Sequence, residues 1–590
     1  MLVSIRTRST WLKALGVVMA GALLAAACSD DDDSVSSPPT TATGDTSAPS
    51  TTASTATDTD TETTTPATTA APGDDAPNPP PVNPFLADSV VPIGHFDPAQ
   101  SDSQAVAGPT GPTQTLTEDD LTYQHVGPGH FGIAISPEYP DGSRVVWTNG
   151  GDRISKLDYD TYDVLAELAI SDTQLTAAEA DAEIEILDTL EGRALADAGV
   201  GMATKYLFGI TGVYYLLDVD NTLFVGGADS IIAYRDTDPA DPTSPIEIRD
   251  EWARPDDVAG QFVGANITFD GRIVAITDEG WVVVVERDFS DYQAIAMVGA
   301  EGAAAHNQAM EDAGFRPGAA TWVRNSIAVD EDGGIYAVAA EDMHKVVWDG
   351  TDLSTDPADG AWTEPYLSSL DAGSGATPAL MGYGDEDRFV VITDGEEVMN
   401  VVLFWRDEIP EDWEPLADAP SDRIVGQLPA DMDDPELTSI QTEQSVVTGG
   451  YGAFVVNNDP ATIPEDFPPA GTRVLAGYSG NDPMFTPNGI QKFAWDPESR
   501  EFTEAWVNQE VSSANSVPVV STGSNLLYTV GARDGDWTLE AVDWDTGESA
   551  FHWVTGSGRY NSLFSGINLD QEGRIVHTTA FGIVRYEVLP

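Results

Sequence analysis

Eight times along the chain a short polar step leads into a run of apolar or alternating residues. The steps begin at His130, Thr211, Ala265, Asn325, Thr377, Glu443, Asn515 and Asn561, spaced 81, 54, 60, 52, 66, 72 and 46 residues apart. Asn325 to Gly350 is the clearest unit. Asn325-Ser326-Ile327-Ala328-Val329-Asp330 alternates like a strand, and Glu331-Asp332-Gly333-Gly334 is turn chemistry. Ile335–Ala339 and Met343–Trp348 follow as strands, closed by Asp349-Gly350. Several short strands per unit, joined by Asp/Gly turns, predict an all-β fold without βαβ crossovers. Repetition at this period predicts an eight-bladed β-propeller.

The last unit has only 30 residues after its start, enough for about three strands. A closed ring must hide the open edge this leaves. The stretch Leu116 to Val126 is therefore predicted to return as the missing strand. The first unit is the longest. In it Leu175, Ala178, Ala182, Ile186 and Leu190 recur at helical spacing, with Ser171 and Gln174 placed for a capping box and Gly192 for a stop. This predicts a small helical insertion in the first blade, packed over one face as a lid or a passive addition.

The ends change the picture. Arg6, Arg8 and Lys13 precede an apolar run from Leu15 to Ala27, too short for an ordinary membrane span. Leu24-Ala25-Ala26-Ala27-Cys28 resembles a bacterial lipobox, with Ala25 where Leu is usual. Residues 1–28 are thus expected to be a lipoprotein signal, with Cys28 the lipidated N-terminus of an extracytoplasmic protein held to the cell membrane. Cys28 is the only cysteine, so no intramolecular disulfide can form. Residues 29–115 are expected to be a disordered acidic tether, because their Ser/Thr/Pro-rich start offers little apolar surface to bury. Residues 116–590 form the predicted propeller domain, expected to act as a monomer.

Net charge is −72, and residues 81–590 hold 88 acidic and 23 basic side chains. Such a surface excludes nucleic acid, whose binding rests on cationic contacts to phosphates. It leaves a solvated acidic coat or carboxylates that bind Ca²⁺, a cation that prefers oxygen ligands. Asp330, Asp332, Asp385, Asp387, Asp431, Asp433 and Asp434 lie in local clusters, none with EF-hand spacing.

Ala541-Val542-Asp543-Trp544-Asp545-Thr546-Gly547-Glu548 resembles the repeat of pyrroloquinoline quinone (PQQ)-type propellers, with Phe551 at the position of the docking Trp. Gly373–Gly382, Val391–Asp394 and Tyr528–Leu539 are similar to exported, mostly uncharacterised bacterial propellers of this kind. The resemblance implies an eight-bladed fold. It does not extend to a bound quinone, since the adjacent cysteine pair of true quinoproteins is missing and one repeat copy is well formed. Calcium-dependent lactonases and gluconolactonases offer a second comparison, but those are usually six-bladed.

In a propeller the inner strands start beside the channel, so the polar steps should line it. Asn266, Asn325, Thr377, Gln444, Asn515 and Asn561 are the predicted lining. Glu443 and Asn515 are candidate metal ligands. His130 and Glu443 are candidate bases, although a lone histidine is more often a structural hydrogen-bonding group. The many Trp residues are expected to pack between blades. Three functions fit: a cell-surface module binding a small molecule or protein, a Ca²⁺-dependent lactone or ester hydrolase working in the channel, and a quinoprotein oxidoreductase. They are ordered by how little each asks of the sequence, because this fold hosts many activities.

Overall fold

The computed structural model describes residues 78–129, 132–207, 213–313, 320–370, 372–467 and 472–589. Among them the strands form eight sheets, each made mainly of four sequence-adjacent antiparallel strands. Blades 1 to 7 span 132–169, 215–253, 262–296, 328–365, 379–429, 447–508 and 519–556. Blade 3 shows why the units fold this way. Phe262–Ile267, Arg272–Thr277, Trp281–Glu286 and Tyr292–Ala296 pair in meander order. Its second and third strands are buried on both faces between neighbouring blades, which explains their runs of Val and Ile.

Blade 8 has three C-terminal strands between residues 568 and 586. Leu121–His125 supplies the fourth, antiparallel to Gly582–Tyr586. The ring therefore closes as the short last unit predicts, and that sheet gains its outer strand from the other end of the chain.

The predicted tether boundary at residue 115 is corrected. From residue 78 onward the chain is described, and from Phe85 much of it is buried. Residues 91–104 form a strap that passes the inner strands in ring order. The N–H groups of Ile135, Leu217, Val329, Leu380, Thr448 and Val520 donate to the carbonyls of Val91, Pro92, Pro98, Ala99, Ser101 and Asp102 at 2.7–3.0 Å. Blade 3 joins through Asn266, whose Nδ2 donates to Pro98 O at 2.9 Å. Blade 8 joins through Gln104, whose Oε1 accepts from Leu569 N at 2.7 Å. All eight blades thus bond to one strap.

The strap meets the inner strands near their C-terminal ends, here called the lower end of the channel. Four non-glycine residues in it have positive φ: His95 at 61°, Phe96 at 73°, Gln100 at 58° and Asp102 at 54°. Each such residue costs on the order of 1–2 kcal/mol, and the hydrogen bonds to the blades hold that curvature. The chain then passes blade 7. Ser103–Gln104 lies parallel to its innermost strand and Gln114–Thr115 parallel to its outermost. Between them Gly108 runs so close to Tyr528 that a Cβ there would stand 2.6 Å from its hydroxyl.

The insertion differs in detail from the sequence reading. Helix α1 is Ala177–Thr189, and the capping box is Thr176 with Glu179 rather than Ser171 with Gln174. Its buried face is Ala180, Ile184 and Leu187, while Ile186 is exposed. Gly192 does not stop the helix. It opens a second one, α2, Gly192–Tyr206. After α3, Ala303–Asp312, comes α4, Thr472–Ser479, an insertion in blade 6. Side chains of α1 and α2 pack with Tyr478, Leu563 and Phe581 at the upper end of the ring. The tryptophans lie between blades as expected. Trp348 Nε1 donates to Asp270, Trp495 Nε1 to Asp387, and Trp147 Nε1 to Asn221, each on an adjoining blade.

A chain starting at Asn78 is expected to melt at the temperature of the full protein. One starting at Leu116 should melt many degrees lower, because every blade loses a strap bond. A thermal melt followed by circular dichroism of both chains checks this, and equal melting would refute the role of the strap.

Candidate functional site

The strap bonds to the inner strands at the lower end of the channel, and the inner-strand starts gather at the upper end, where α4 also packs. Tyr214, just before blade 2, reaches to Thr377 at the start of blade 5, with 3.3 Å between the two hydroxyls. At the mouth, Arg324 before blade 4 pairs with Glu443 before blade 6. One guanidinium nitrogen lies 2.7 and 2.6 Å from the two carboxylate oxygens. Blade 5 lies between them, so this pair spans a full blade. Gly375 is required there, because a Cβ would meet the Thr442 carbonyl at 1.9 Å.

The floor is the strap itself. His95 Nδ1 lies 2.9 and 3.0 Å from the oxygens of Asp102. The Asp102 side chain is 2% exposed and that of His95 13%. Burial works to lower the pKa of His95, but the carboxylates of Asp102 and Asp97 outweigh it and raise the imidazole. Burial likewise raises Asp102, against the pull of His95. Tyr214 is raised first by burial, with Asp102 and Glu443 adding to it. Tyr383, which follows the inner strand Ala379–Met381 at the lower end, is raised first by burial and then by Asp97.

The predicted lining residues divide in role. Thr377 and Glu443 belong to the lumen as described. Asn325 is half-buried and donates to Ser374 O at 3.2 Å, tying two blades. Asn266 is fully buried and serves the strap and the adjoining Ile327 carbonyl. Asn515 and Asn561 both donate to Gly477 O, at 2.6 and 2.7 Å, and Asn515 also donates to Asn561 Oδ1 at 2.7 Å. They anchor the last turn of α4, whose carbonyls lack helical partners. The side-chain amide of Gln444, 2% exposed, has no hydrogen-bond partner among the described residues. His130 and Cys28 lie outside the described residues.

The pairing of Glu443 and Asn515 as metal ligands does not fit this geometry. The Glu443 oxygens face a guanidinium, and Asn515 Oδ1 accepts from Ser562 at 2.9 Å. A cation at Glu443 would have to displace Arg324. Among the described residues, the carboxylates close enough to share an ion are Asp431, Asp433 and Glu504, within 4.8 Å of one another. They border a cleft with Leu428, Phe493 and Phe502 on outer parts of blades 5 and 6, away from the channel.

Arg324, Tyr214, His95 and Asp102 are site residues that the repeat reading missed. The first two flank the polar steps by one residue or a few. The others sit in the stretch assigned to the tether, where Phe85-Leu86, Val90-Val91, Ile93 and Phe96 are the signal of burial that residues 29–80 lack.

Eight sheets of four to six strands, the last completed by a strand from the other end of the chain, define a β-propeller. No family model matches the chain. An uncharacterized protein of Archaeoglobus fulgidus is 32% identical over 529 residues, covering 87% of this chain and 91% of that protein. The chain belongs to the same family as that archaeal protein. Among solved structures, BamB from Moraxella catarrhalis is similar over 79% of this chain and 97% of its own, at 10% identity and TM-score 0.40. The quinohemoprotein alcohol dehydrogenase of Comamonas testosteroni is similar over 85% and 77%, at 13% identity and TM-score 0.44. The fold assignment rests on the strand pairing of the chain itself.

Asp97 supplies a pH prediction. Burial raises its pKa from 3.8 to about 7, against hydrogen bonds from Ser101 that lower it. The folded state then holds a proton that the unfolded chain releases, so this contribution is full below about 3.8 and is lost as pH rises through about 7. The Asp97→Asn variant should show a shallower fall of melting temperature between pH 4 and 7 than the parent. Parallel curves would show that Asp97 does not titrate in this range.

Proposed function

We propose that the protein is a membrane-anchored, extracytoplasmic lipoprotein whose propeller binds a small ligand in its central channel. It is held to the membrane by lipidated Cys28 and works as a monomer. The observation that carries this reading is the strap, which bonds to all eight blades across the lower end of the channel and favours entry from the other end. A channel lined by Tyr214, Thr377, Arg324, Glu443, His95 and Asp102 can surround a small polar molecule and offer it both donors and acceptors. Its ion pairs balance locally, Arg324 with Glu443 and His95 with Asp102. A neutral, oxygen-rich ligand therefore suits it better than a free ion, despite the acidic exterior. No helix among the described residues is long and apolar enough to cross a membrane. Attachment through Cys28 is consistent with that.

Two measurements test the reading. In cells, Cys28→Ser should shift the protein from the membrane fraction to the soluble extracytoplasmic fraction, and unchanged partition would remove the anchor from the model. In vitro, the full chain in mild detergent is screened by thermal shift against neutral lactones, esters and small sugars. A ligand at a hundred times its Kd adds ~2.7 kcal/mol of stability. A stabilising compound should lose its effect in Tyr214→Ala, which removes the hydroxyl that reaches Thr377 across the ring. Ca²⁺ and Mg²⁺ at equal ionic strength should give equal shifts. A Ca²⁺-specific rise that survives Arg324→Ala but not Glu443→Gln would instead favour a metal-dependent site.

A further inference from the structure

Lys156, on the third strand of blade 1, is fully buried and pairs with Asp236 on the third strand of blade 2, whose side chain is 2% exposed. Nζ lies 5.6 Å from the centroid of the Trp147 ring. Trp147 and Tyr139 belong to one apolar cluster with Tyr234 and Ile246. Two charges taken this far out of water lose hydration that their attraction seldom restores, so the pair gains by becoming neutral. The two carboxyl oxygens of Asp236 are also not equivalent. Oδ1 faces Nζ. Oδ2 accepts from the Tyr139 hydroxyl at 2.5 Å and from Asn221 Nδ2 at 3.1 Å. Trp147 Nε1 donates to Asn221 Oδ1 at 3.1 Å, which fixes the Asn221 amide with its NH₂ group toward Oδ2. The Ser244 carbonyl, 2.9 Å from Nζ, is the other partner of the amine. One oxygen thus meets a nucleophile while the other is held by two donors, the arrangement that stabilises a tetrahedral carbon.

Two other third-strand lysines show the contrast. Lys345 of blade 4 reaches Asp407 of blade 5 at 3.2 Å, but that carboxylate is 34% exposed and its Oδ2 lies 2.7 Å from Arg388. Lys492 of blade 6 donates to the backbone carbonyl of Trp544 at 2.7 Å. We propose that Lys156 and Asp236 condense to an amide, a covalent cross-link between blades 1 and 2 made by the folded chain itself. Nζ gives one proton to Oδ1, leaving a neutral amine beside a neutral carboxyl. The Nζ lone pair then bonds to Cγ, and the electron pair of the Cγ–Oδ2 double bond moves onto Oδ2, where Tyr139 and Asn221 stabilise it. A second proton passes from Nζ to the Oδ1 hydroxyl. The Cγ–Oδ1 bond breaks, Oδ1 leaves as water, and the Cγ–Oδ2 double bond re-forms. Folding supplies the proximity this needs, and no other reactant enters the balance. With a single cysteine, the chain has no intramolecular disulfide to make such a tie.

The full chain is purified, denatured in urea, digested with trypsin and read by tandem mass spectrometry. An amide blocks cleavage after Lys156, so residues 154–193 should appear joined to residues 236–249, lighter by one water than the two peptides together. Lys156→Arg should give only separate peptides. Tyr139→Phe keeps the ring and removes one donor to Oδ2, so it should carry the link in a smaller fraction of chains at equal time after synthesis. Cleavage after Lys156 with a free 236–249 peptide in the folded parent overturns the proposal, whatever the variants do. A link at Lys345 or Lys492 in its place overturns it equally, because burial and the donors to Oδ2 would then not select the site.

Discussion

The structure depends on a single loop of backbone, the strap at residues 91–104, being held by every blade. A propeller blade is a small sheet that buries its faces against two neighbours, and the ring has no central core of its own. Inner strands converge on an axis where their backbone edges would face an open channel. Here those edges meet a continuous partner. The N–H groups of Ile135, Leu217, Val329, Leu380, Thr448 and Val520 find acceptors on a chain that turns once around the axis. A buried donor left unpaired costs ~1–3 kcal/mol. The strap therefore fixes the blades to one another at their narrowest point, while Leu121–His125 fixes the seam at the rim. The two closures are consecutive in sequence, so one N-terminal segment fastens both the axis and the edge.

That arrangement has an electrostatic consequence. The exterior is strongly acidic, yet charges in the lumen occur as pairs. Removing charge from water is tolerated only where a partner and hydrogen bonds replace the solvent. Arg324 and Glu443 satisfy this at the mouth, and His95 and Asp102 at the floor. The same demand explains Asn515 and Asn561, whose amides serve the buried Gly477 carbonyl of α4 and each other. Polar residues at the start of an inner strand therefore serve two ends here: some seal insertions and the strap, and some pair with one another across the ring. Residue type does not separate the two. The partner across the channel does.

The repeat was legible because blades are built from local meanders, and Asp/Gly turns with alternating strands announce them. Closure was legible from arithmetic, since the last unit was one strand short. The strap was not. It has no strand periodicity, and its bonds run to residues from 44 (135 − 91) to 465 positions away. Positive φ at His95, Phe96, Gln100 and Asp102 is imposed by the ring and not by glycine. The capping box of α1 was missed by five residues because Ser171 and Thr176 both fit the pattern. Tertiary burial of Ile184 and Leu187 decides which is used. Glu443 was found as a channel residue, but its partner Arg324 comes from two blades away, a pairing that spacing cannot show.

The strap carries its own electrostatic order. The His95 ring stands 2.9 and 3.0 Å from the oxygens of Asp102, and the Asp102 carbonyl accepts from Val520 of blade 7. The bonds that hold the ring of blades therefore also fix the backbone that carries this pair. The same bonds offset four left-handed residues in a short stretch, a conformation that costs energy at every non-glycine position.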